Sequence, residues 1–417
     1  MSKRIIDLGT VANDHTGTKI RVGGDYINKN FTEVYNGYQS FVDINAIPLS
    51  DDDDLYGHEG HIYIKRGTGR TFLLFIYQSN KVGGESSAGG KSILKVFDYP
   101  SMILRRSINV FEAGVGSIPA APYMLAPRVF CVGTTIRCFL GSQNGLNAID
   151  ISMVSDDPAE WTIGDSYVFS MTMLNSSGVP ELLPVTPVNI QEHLEQYFGD
   201  TYAGYADSIP ILRNFELPIA NGGSLYTILE LNGEFISHKE SINWIIKSDD
   251  SGDTWDLTYP VNYTTSSRRS LLESSLVFIG NNIHIISRTS SAAIQHNIST
   301  DYGATWATAV NLLLSTIATK PSVINYYKHD DTLGIICAIQ LTSEVVGTTG
   351  RTTLGIYTTT DLLTFTEIAK IVTPSFAHYP TLYYYSNRLL CVYTKGLKVY
   401  TGTTQYDRDT VVLARIV

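Results

Sequence analysis

An eight-residue pattern that occurs twice decides how this chain folds. The first copy is Ser248-Asp249-Asp250-Ser251-Gly252-Asp253-Thr254-Trp255, and the second is Ser299-Thr300-Asp301-Tyr302-Gly303-Ala304-Thr305-Trp306. Both copies fit S-x-D-x-G-x-T-W without a mismatch. The pattern has the parts of a tight hairpin: an Asp that accepts backbone hydrogen bonds, a Gly for the left-handed conformation and an apolar Trp. Two intact copies at blade-like spacing predict a repeat architecture.

This pattern resembles the Asp box of the sialidase-like β-propellers. Shorter copies surround Asp157 and Asp361, and a weaker one is Val96-Phe97-Asp98-Tyr99. The resemblance implies an all-β propeller with each box at its periphery, between the third and fourth strands of a blade. In the family the box is structural and not catalytic. The residues that we assign to this structural role are Ser248, Asp250, Gly252, Thr254, Trp255, Ser299, Asp301, Gly303, Thr305, Trp306, Asp157, Trp161, Asp361 and Phe365.

A recurring strand–turn–strand pattern in the sequence divides residues 46–417 into six predicted blades. The blades begin near His61, Pro127, Ile211, Ser274, Lys320 and Tyr379. An insertion at about 180–208, with a helix over 190–198, separates the second blade from the third. The sequence leaves open which strand closes the ring, and a strand near 61–65 is one candidate. The predicted fold is therefore a six-bladed β-propeller of sialidase-like type, with a short helical N-terminal segment and one helical insertion.

Composition and charge exclude several classes of function. The net charge of −10 argues against a nucleic-acid partner. No stretch reaches ~18 consecutive apolar residues, so membrane insertion is not expected. The four cysteines lack CxxC spacing and are predicted to be reduced core residues. His58 and His61 are the only close histidine pair, and Asp51 to Asp54 lack the alternation of a calcium loop, so neither a metal nor another cofactor is expected.

Residues 1–45 carry a second resemblance, which is independent of the Asp boxes. The runs Asn13-Asp14-His15-Thr16-Gly17 and Ile27-Asn28-Lys29-Asn30-Phe31 are similar to the N-terminal module of many tailed-phage virion proteins. Ile27, Phe31 and Val34 would lie on one face of a short helix, which needs a partner to cover it. The resemblance implies attachment to other virion proteins or trimerisation, in a protein made in the host cytoplasm and located in the virion. The alternative is a helix that caps its own domain.

The sialidase resemblance also directs attention to candidate ligand-binding residues. Sialidases hold a substrate carboxylate with three arginines and use a Tyr nucleophile, an activating Glu and an Asp acid/base. The flanking sequence of Glu273, Arg288 and Tyr379 is similar to the blades that carry the family's Glu, one Arg and the Tyr. However, there is no Arg-Ile-Pro motif, and Lys320 stands where another arginine would serve. Because lysine cannot form the bidentate fork, and because no acid/base Asp is recognisable, we assign no catalytic residue.

These observations favour one hypothesis and leave two alternatives open. The favoured hypothesis is a bacteriophage tail fibre, spike or tail appendage component that binds a host-surface glycan or protein without catalysis. The first alternative is a sialidase-type glycoside hydrolase that acts on host surface glycans. The second is a purely structural virion protein whose propeller forms a ring or plug.

Overall fold

The propeller is seen in a computed structural model that describes most of the chain beyond residue 46. The described residues are 47–50, 56–80, 90–115, 125–142, 144–199, 211–215, 219–235, 238–261, 271–289, 294–312, 319–327, 333–341, 351–373, 377–386, 388–401 and 404–416. The predicted N-terminal helical segment, and with it the phage-like module at 1–45, lies outside the described residues.

Five hydrogen-bonded sheets form six blades, because the largest sheet contains both the first blade and the last. A short strand, β1 (Ile47–Pro48), is the first element among the described residues. Blade one contains β2 (Tyr56–Arg66), β3 (Thr71–Asn80), β4 (Lys91–Asp98) and β5 (Ile103–Glu112). Blade two contains β6 (Leu125–Val132), β7 (Thr135–Ser142), β8 (Gly145–Ser152), a 3-10 turn (Pro158–Glu160), β9 (Thr162–Ile163) and β10 (Tyr167–Val168).

The second half of the chain repeats the four-stranded plan after one insertion. The insertion contains β11 (Ser170–Leu174), β12 (Pro180–Pro184) and helix α1 (Pro187–Phe198). Blade three contains β13 (Ile211–Phe215), β14 (Ile219–Asn221), β15 (Ser224–Phe235), β16 (His238–Ser248) and β17 (Asp256–Pro260). Blade four contains β18 (Leu271–Ile279), β19 (Asn282–Thr289), β20 (Ile294–Ser299) and β21 (Val310–Asn311). Blade five contains β22 (Ser322–Tyr327), β23 (Leu333–Leu341), β24 (Thr353–Thr359) and β25 (Thr366–Val372), and blade six contains β26 (Ala377–Tyr385), β27 (Arg388–Thr401), β28 (Thr404–Ile416) and β1. The predicted six-bladed propeller is confirmed.

The ring is closed by β1 and not by a strand near 61–65. β1 pairs antiparallel with β28, with Ile47 opposite Leu413, and so supplies the fourth strand of blade six. The candidate strand at 61–65 belongs to β2, the innermost strand of blade one. Directly after β1, Leu49 is 1% exposed within the apolar cluster between blades six and one, and its carbonyl accepts a 2.7 Å hydrogen bond from Lys95 Nζ.

Hydrogen bonds between consecutive blades hold the inner strands together. Five such bonds run from a backbone N–H of one inner strand to a side chain of the preceding blade: Glu59 N to Thr394, Val129 N to His61, Glu273 N to Glu230, Val323 N to Ser275 and Leu382 N to Ser322. The donors lie in blades one, two, four, five and six. These bonds give backbone N–H groups of the inner strands a partner in place of water. Each bond also joins two neighbouring blades of the ring.

The two intact Asp boxes lock their hairpins as the pattern predicts. Asp250 accepts bonds of 2.8 Å from both Ser248 Oγ and Thr254 N, and Ser248 Oγ accepts one of 2.8 Å from Gly252 N. The box of blade four repeats these contacts, with Asp301 accepting from Thr305 N at 2.7 Å. Burial raises the pKa of Asp250, but the bonds from Thr254 and Ser248 outweigh it and lower that pKa to about 2.

The boxes also connect neighbouring blades. The Gly252 carbonyl accepts from Arg137 in blade two at 3.0 Å, and Trp306 Nε1 donates to the Pro260 carbonyl in blade three at 3.2 Å. Gly252 adopts a φ of +98°, and a Cβ there would lie 2.8 Å from the Phe130 ring. Only glycine therefore suits both the conformation and the packing at this position. The weaker copies at Asp98, Asp157 and Asp361 also lie between third and fourth strands, at the corresponding turns.

The insertion is larger than the sequence indicates. Besides the predicted helix, it contains the hairpin β11–β12, whose Thr172 pairs in parallel with Asp256 and so extends the outer edge of blade three. Helix α1 begins at Pro187, three residues earlier than predicted, because proline suits the first helical turn and Thr186 caps it by accepting from Asn189 N at 3.3 Å. Among the described residues, no helix is long and apolar enough to cross a bilayer.

Three buried histidines make the fold sensitive to mild acid. His284 Nδ1 and His296 Nε2 lie 3.0 Å apart in blade four, and His193 on α1 accepts a 2.9 Å bond from the Leu174 backbone N–H. Burial lowers the pKa of His193 and of His284 to about 4, and it lowers the pKa of His296 as well. The folded protein therefore resists protonation of these rings.

We expect the free energy of unfolding to fall as the pH decreases from about 6.5 towards 4. In this window the unfolded chain binds more protons than the folded one, so acid favours unfolding, and the stabilisation is complete above the unfolded pKa. Chemical denaturation at several pH values measures the effect. His193→Gln keeps a hydrogen-bond acceptor and should reduce the slope. A stability that stays constant across the window would contradict the assignment.

Candidate binding site at the channel mouth

β-Bulges occur near the beginning of the inner strand in five of the six blades. The register shifts lie in β2, β6, β13, β18 and β26, and blade five has Lys320 just before β22. Three polar residues at these bulges have a left-handed backbone: Glu59 with a φ of +49°, Glu273 with +28° and Tyr379 with +51°. Such conformations are costly for residues other than glycine and concentrate at functional sites. This end of the inner strands, which we call the channel mouth, is the candidate site.

Glu273 and Arg288 form an ion pair in blade four. Arg288 Nη1 lies 2.7 Å from Glu273 Oε2, and the two side chains are 25% and 16% exposed. Leu272 pairs with Arg288 and Ser274 pairs with Ser287, so Glu273 is the extra residue of the bulge. Its position directly after Leu272 allows the contact with Arg288. The Glu273 N–H donates to Glu230 Oε2 at 2.9 Å, and Glu230 is fully buried in blade three.

Tyr379 lies close to this ion pair from the side of blade six. Burial lowers the pKa of Arg288, but Glu273, Tyr379 and Glu230 together raise it above its ordinary value. The His378 ring lies 4.6 Å from the Tyr379 ring, at an angle of 50°. The structure thus brings Glu273, Arg288 and Tyr379, which were selected from the sequence, into one neighbourhood.

The described mouth positions of blades one and five carry no arginine. In blade two Arg128 directly follows the bulge and is 2% exposed, and in blade three the bulge falls at Arg213. In blade one the bulge carries Glu59, whose N–H donates to Thr394 Oγ1 in blade six at 3.3 Å. Lys320 of blade five is 3% exposed. Within the described residues, the inner strand of blade one carries no arginine at its bulge. The described part of the chain also contains no group of three or more His, Cys, Asp and Glu side chains that could hold a metal ion.

Two of the mouth residues, Glu230 and Glu59, are not predicted by the sequence pattern. Glu230 lies on the second strand of its blade, and its contact with Glu273 crosses from blade three to blade four. Glu59 precedes the apolar run that predicts the first strand of blade one, so the sequence pattern places it in a loop. The segments at 262–270, 313–318 and 374–376, which precede the inner strands of blades four, five and six, lie outside the described residues.

Comparison with known proteins identifies the fold. No protein-family model matches the sequence, and no curated protein matches it either. Among solved structures, Trypanosoma rangeli sialidase matches with a TM-score of 0.58 at 12% identity, over 89% of this chain and 57% of that one. The NanB sialidase of Streptococcus pneumoniae matches with a TM-score of 0.50 at 12% identity, over 88% of this chain and 69% of that one. The chain has the fold of the sialidase-like β-propellers.

A third neighbour matches over nearly its whole length. A protein of unknown function from Dyadobacter fermentans DSM 18053 has a TM-score of 0.57 at 12% identity, over 88% of this chain and 98% of that one. The T. rangeli enzyme is considerably longer, since this chain spans 57% of its length. At these identities the likeness establishes the sialidase-like fold alone. Function has to be argued from the mouth.

Proposed function

We propose that this chain is a tail fibre, spike or tail appendage protein of a bacteriophage, and that its channel mouth binds a host-surface glycan without cleaving it. The observation that supports binding is the group formed by Glu273, Arg288 and Tyr379. Two of these residues, Glu273 and Tyr379, have a left-handed backbone conformation. The virion location is supported by the similarity of residues 1–45 to phage virion modules. Its partners would be other virion proteins and a glycan or protein of the host surface.

The charges at the mouth favour a neutral sugar over an acidic one. Among the described side chains at the mouth, Arg128, Arg288 and Lys320 lie beside the carboxylates of Glu59, Glu230 and Glu273, so a sialic-acid carboxylate would meet no net positive charge. Lys320 supplies a single point charge and not a fork. In contrast, a guanidinium beside a carboxylate offers adjacent donors and acceptors to sugar hydroxyls, and the neighbouring His378 and Tyr379 rings offer an apolar surface.

The same geometry argues against catalysis. In sialidases the Glu activates the Tyr nucleophile, whereas here the Glu273 carboxylate bonds Arg288 at 2.7 Å. No acid/base Asp is recognisable at the described mouth positions. The second candidate function, a sialidase-type hydrolase, rests on the presence of Tyr379 close to Arg288.

We expect the purified protein to bind neutral glycans on an array and to leave a fluorogenic sialoside intact. Replacing Arg288 by methionine should reduce the array signal roughly tenfold or more, because it removes the charged donor. Arg388→Met, at an exposed position of β27, is the matched control and should bind normally. If the protein cleaves the sialoside and Tyr379→Phe abolishes this cleavage, the chain is a sialidase-type hydrolase and the present proposal is wrong. Absence of both signals would favour the structural ring.

A further inference from the structure

A cleft lined by arginines lies at the opposite end of blade one from the channel mouth. We call it the basic cleft. It has a volume of about 520 Å³, and its lining includes Arg66, Arg70, Thr71, Asp98, Ser101 and Arg105. β2 runs from the bulge at Glu59 to Arg66, which separates the two sites by roughly 23 Å. The basic cleft is therefore distinct from the mouth.

The turn that carries two of the arginines is held rigid by blade two. Gly67 N donates to the Arg70 carbonyl at 2.7 Å and so closes the hairpin between β2 and β3. Asp156 accepts from Thr68 N at 3.1 Å, from Thr68 Oγ1 at 2.6 Å and from Gly69 N. These bonds hold the pKa of Asp156 below its ordinary value. Because the turn is fixed from outside, Arg66 and Arg70 are presented at its two ends.

The third arginine is oriented by a carboxylate of its own blade. Arg105 Nε donates to Asp98 Oδ2 at 2.6 Å, and Arg105 Nη2 donates to the same oxygen. Arg105 Nη1 is not used in this ion pair. The Arg105 side chain is 37% exposed, so its guanidinium can contact a ligand in the basic cleft.

The lining of the basic cleft contains more arginines than acidic residues. Its lining residues include three guanidinium groups and one carboxylate, and Asp156 adds a second carboxylate beside the turn, in a protein with a net charge of −10. Arg66 and Arg70 are exposed, and Arg70 interacts electrostatically with Asp156. The hydroxyls of Thr71 and Ser101 supply further donors at its edge. Several donors that converge from different elements suit a tetrahedral oxyanion, because a sulfate or phosphate ester presents three acceptor oxygens in different directions.

We propose that the basic cleft is a second ligand site, which binds the sulfate or phosphate ester of an anionic glycan. Arg66 and Arg70 supply two exposed guanidinium groups, and Arg105 contributes a third that Asp98 has already oriented. This site does not depend on the proposed function, since it shares no residue with the mouth. Its ligand would be recognised by charge and the mouth ligand by hydroxyl groups.

Isothermal titration calorimetry of the full chain tests the basic cleft. The probes are a sulfated disaccharide, a sugar phosphate and the same sugar without an ester group. We expect one of the charged probes to bind, with an affinity that falls as salt is added, and the uncharged sugar not to bind there. The charged probe that binds more tightly identifies the ester.

The double variant Arg66→Gln, Arg70→Gln should weaken binding of the charged probe roughly tenfold or more. Arg388→Gln is the matched control and should bind as the wild type does. Because both replaced side chains are exposed, the melting temperature of the double variant should not change, which separates lost binding from unfolding. Equal binding in the double variant, or no binding of either charged probe, would overturn the proposal. Neither outcome affects the array result for the mouth.

Discussion

Replacing Trp255 by alanine should lower the free energy of unfolding by about 3–5 kcal/mol. The Trp255 side chain is fully buried, its ring meets the Phe130 ring edge to face at 6.2 Å, and its Nε1 donates to the Gly252 carbonyl at 3.1 Å. The substitution would leave a cavity between blades two and three and remove a hydrogen bond inside the box. Urea denaturation measures the change.

The matched control is Trp306→Ala in the box of blade four. Trp306 is only partly buried, so its replacement should cost less than that of Trp255. Both boxes lie at the end of the blades opposite the mouth, and neither substitution should alter glycan binding by the folded protein. A loss below about 1 kcal/mol for Trp255→Ala would mean that the box does not lock its blade.

Leu49→Ala should destabilise the protein by about 2–5 kcal/mol, because it opens the seam between the first and last blades. Leu49 is 1% exposed and packs in a cluster with Ile62, Leu390 and Leu413. Thermal or urea denaturation measures the loss. Leu182→Ala is the matched control, since Leu182 is 56% exposed and its replacement should change stability by no more than about 0.5 kcal/mol.

Two truncated proteins extend this test to the domain boundary. A chain that begins at residue 46 keeps β1 and should fold as a stable propeller, but should no longer join the virion if residues 1–45 attach it. A chain that begins at residue 51 lacks β1 and the carbonyl that Lys95 contacts, and should be markedly less stable. Equal stability of the two proteins would show that β1 does not close the ring.

The fold was largely predictable because its signals are local. An Asp box is a turn in which Ser, Asp, Gly and Thr make contacts that join residues at most four positions apart, so the pattern is visible in the sequence. β1 could not be predicted in this way. It has two residues, Ile47 and Pro48, and its partner Leu413 lies at the other end of the chain. The hairpin β11–β12 could not be predicted either, because its place in blade three depends on the pairing of Thr172 with Asp256, which is distant in the sequence.

The candidate site was predictable only in part. Glu273 and Arg288 lie on adjacent strands of one hairpin, so their contact follows from strand length and register. The contact of Glu230 with Glu273 depends on how blades three and four pack, and a single sequence does not record this. The basic cleft is formed by two turns of blade one, with Asp156 of blade two fixing one of them, and each part alone looks like an ordinary exposed turn.

The central claim is that the mouth holds a glycan that it does not cleave. A crystal structure of the protein with the neutral glycan that gives the strongest array signal tests this claim most directly. We predict an intact sugar at the channel mouth, with its hydroxyls within hydrogen-bond distance of Glu273 and Arg288 and close to Tyr379. A sugar bound elsewhere with the mouth empty, or a cleaved product in the mouth, would contradict the account.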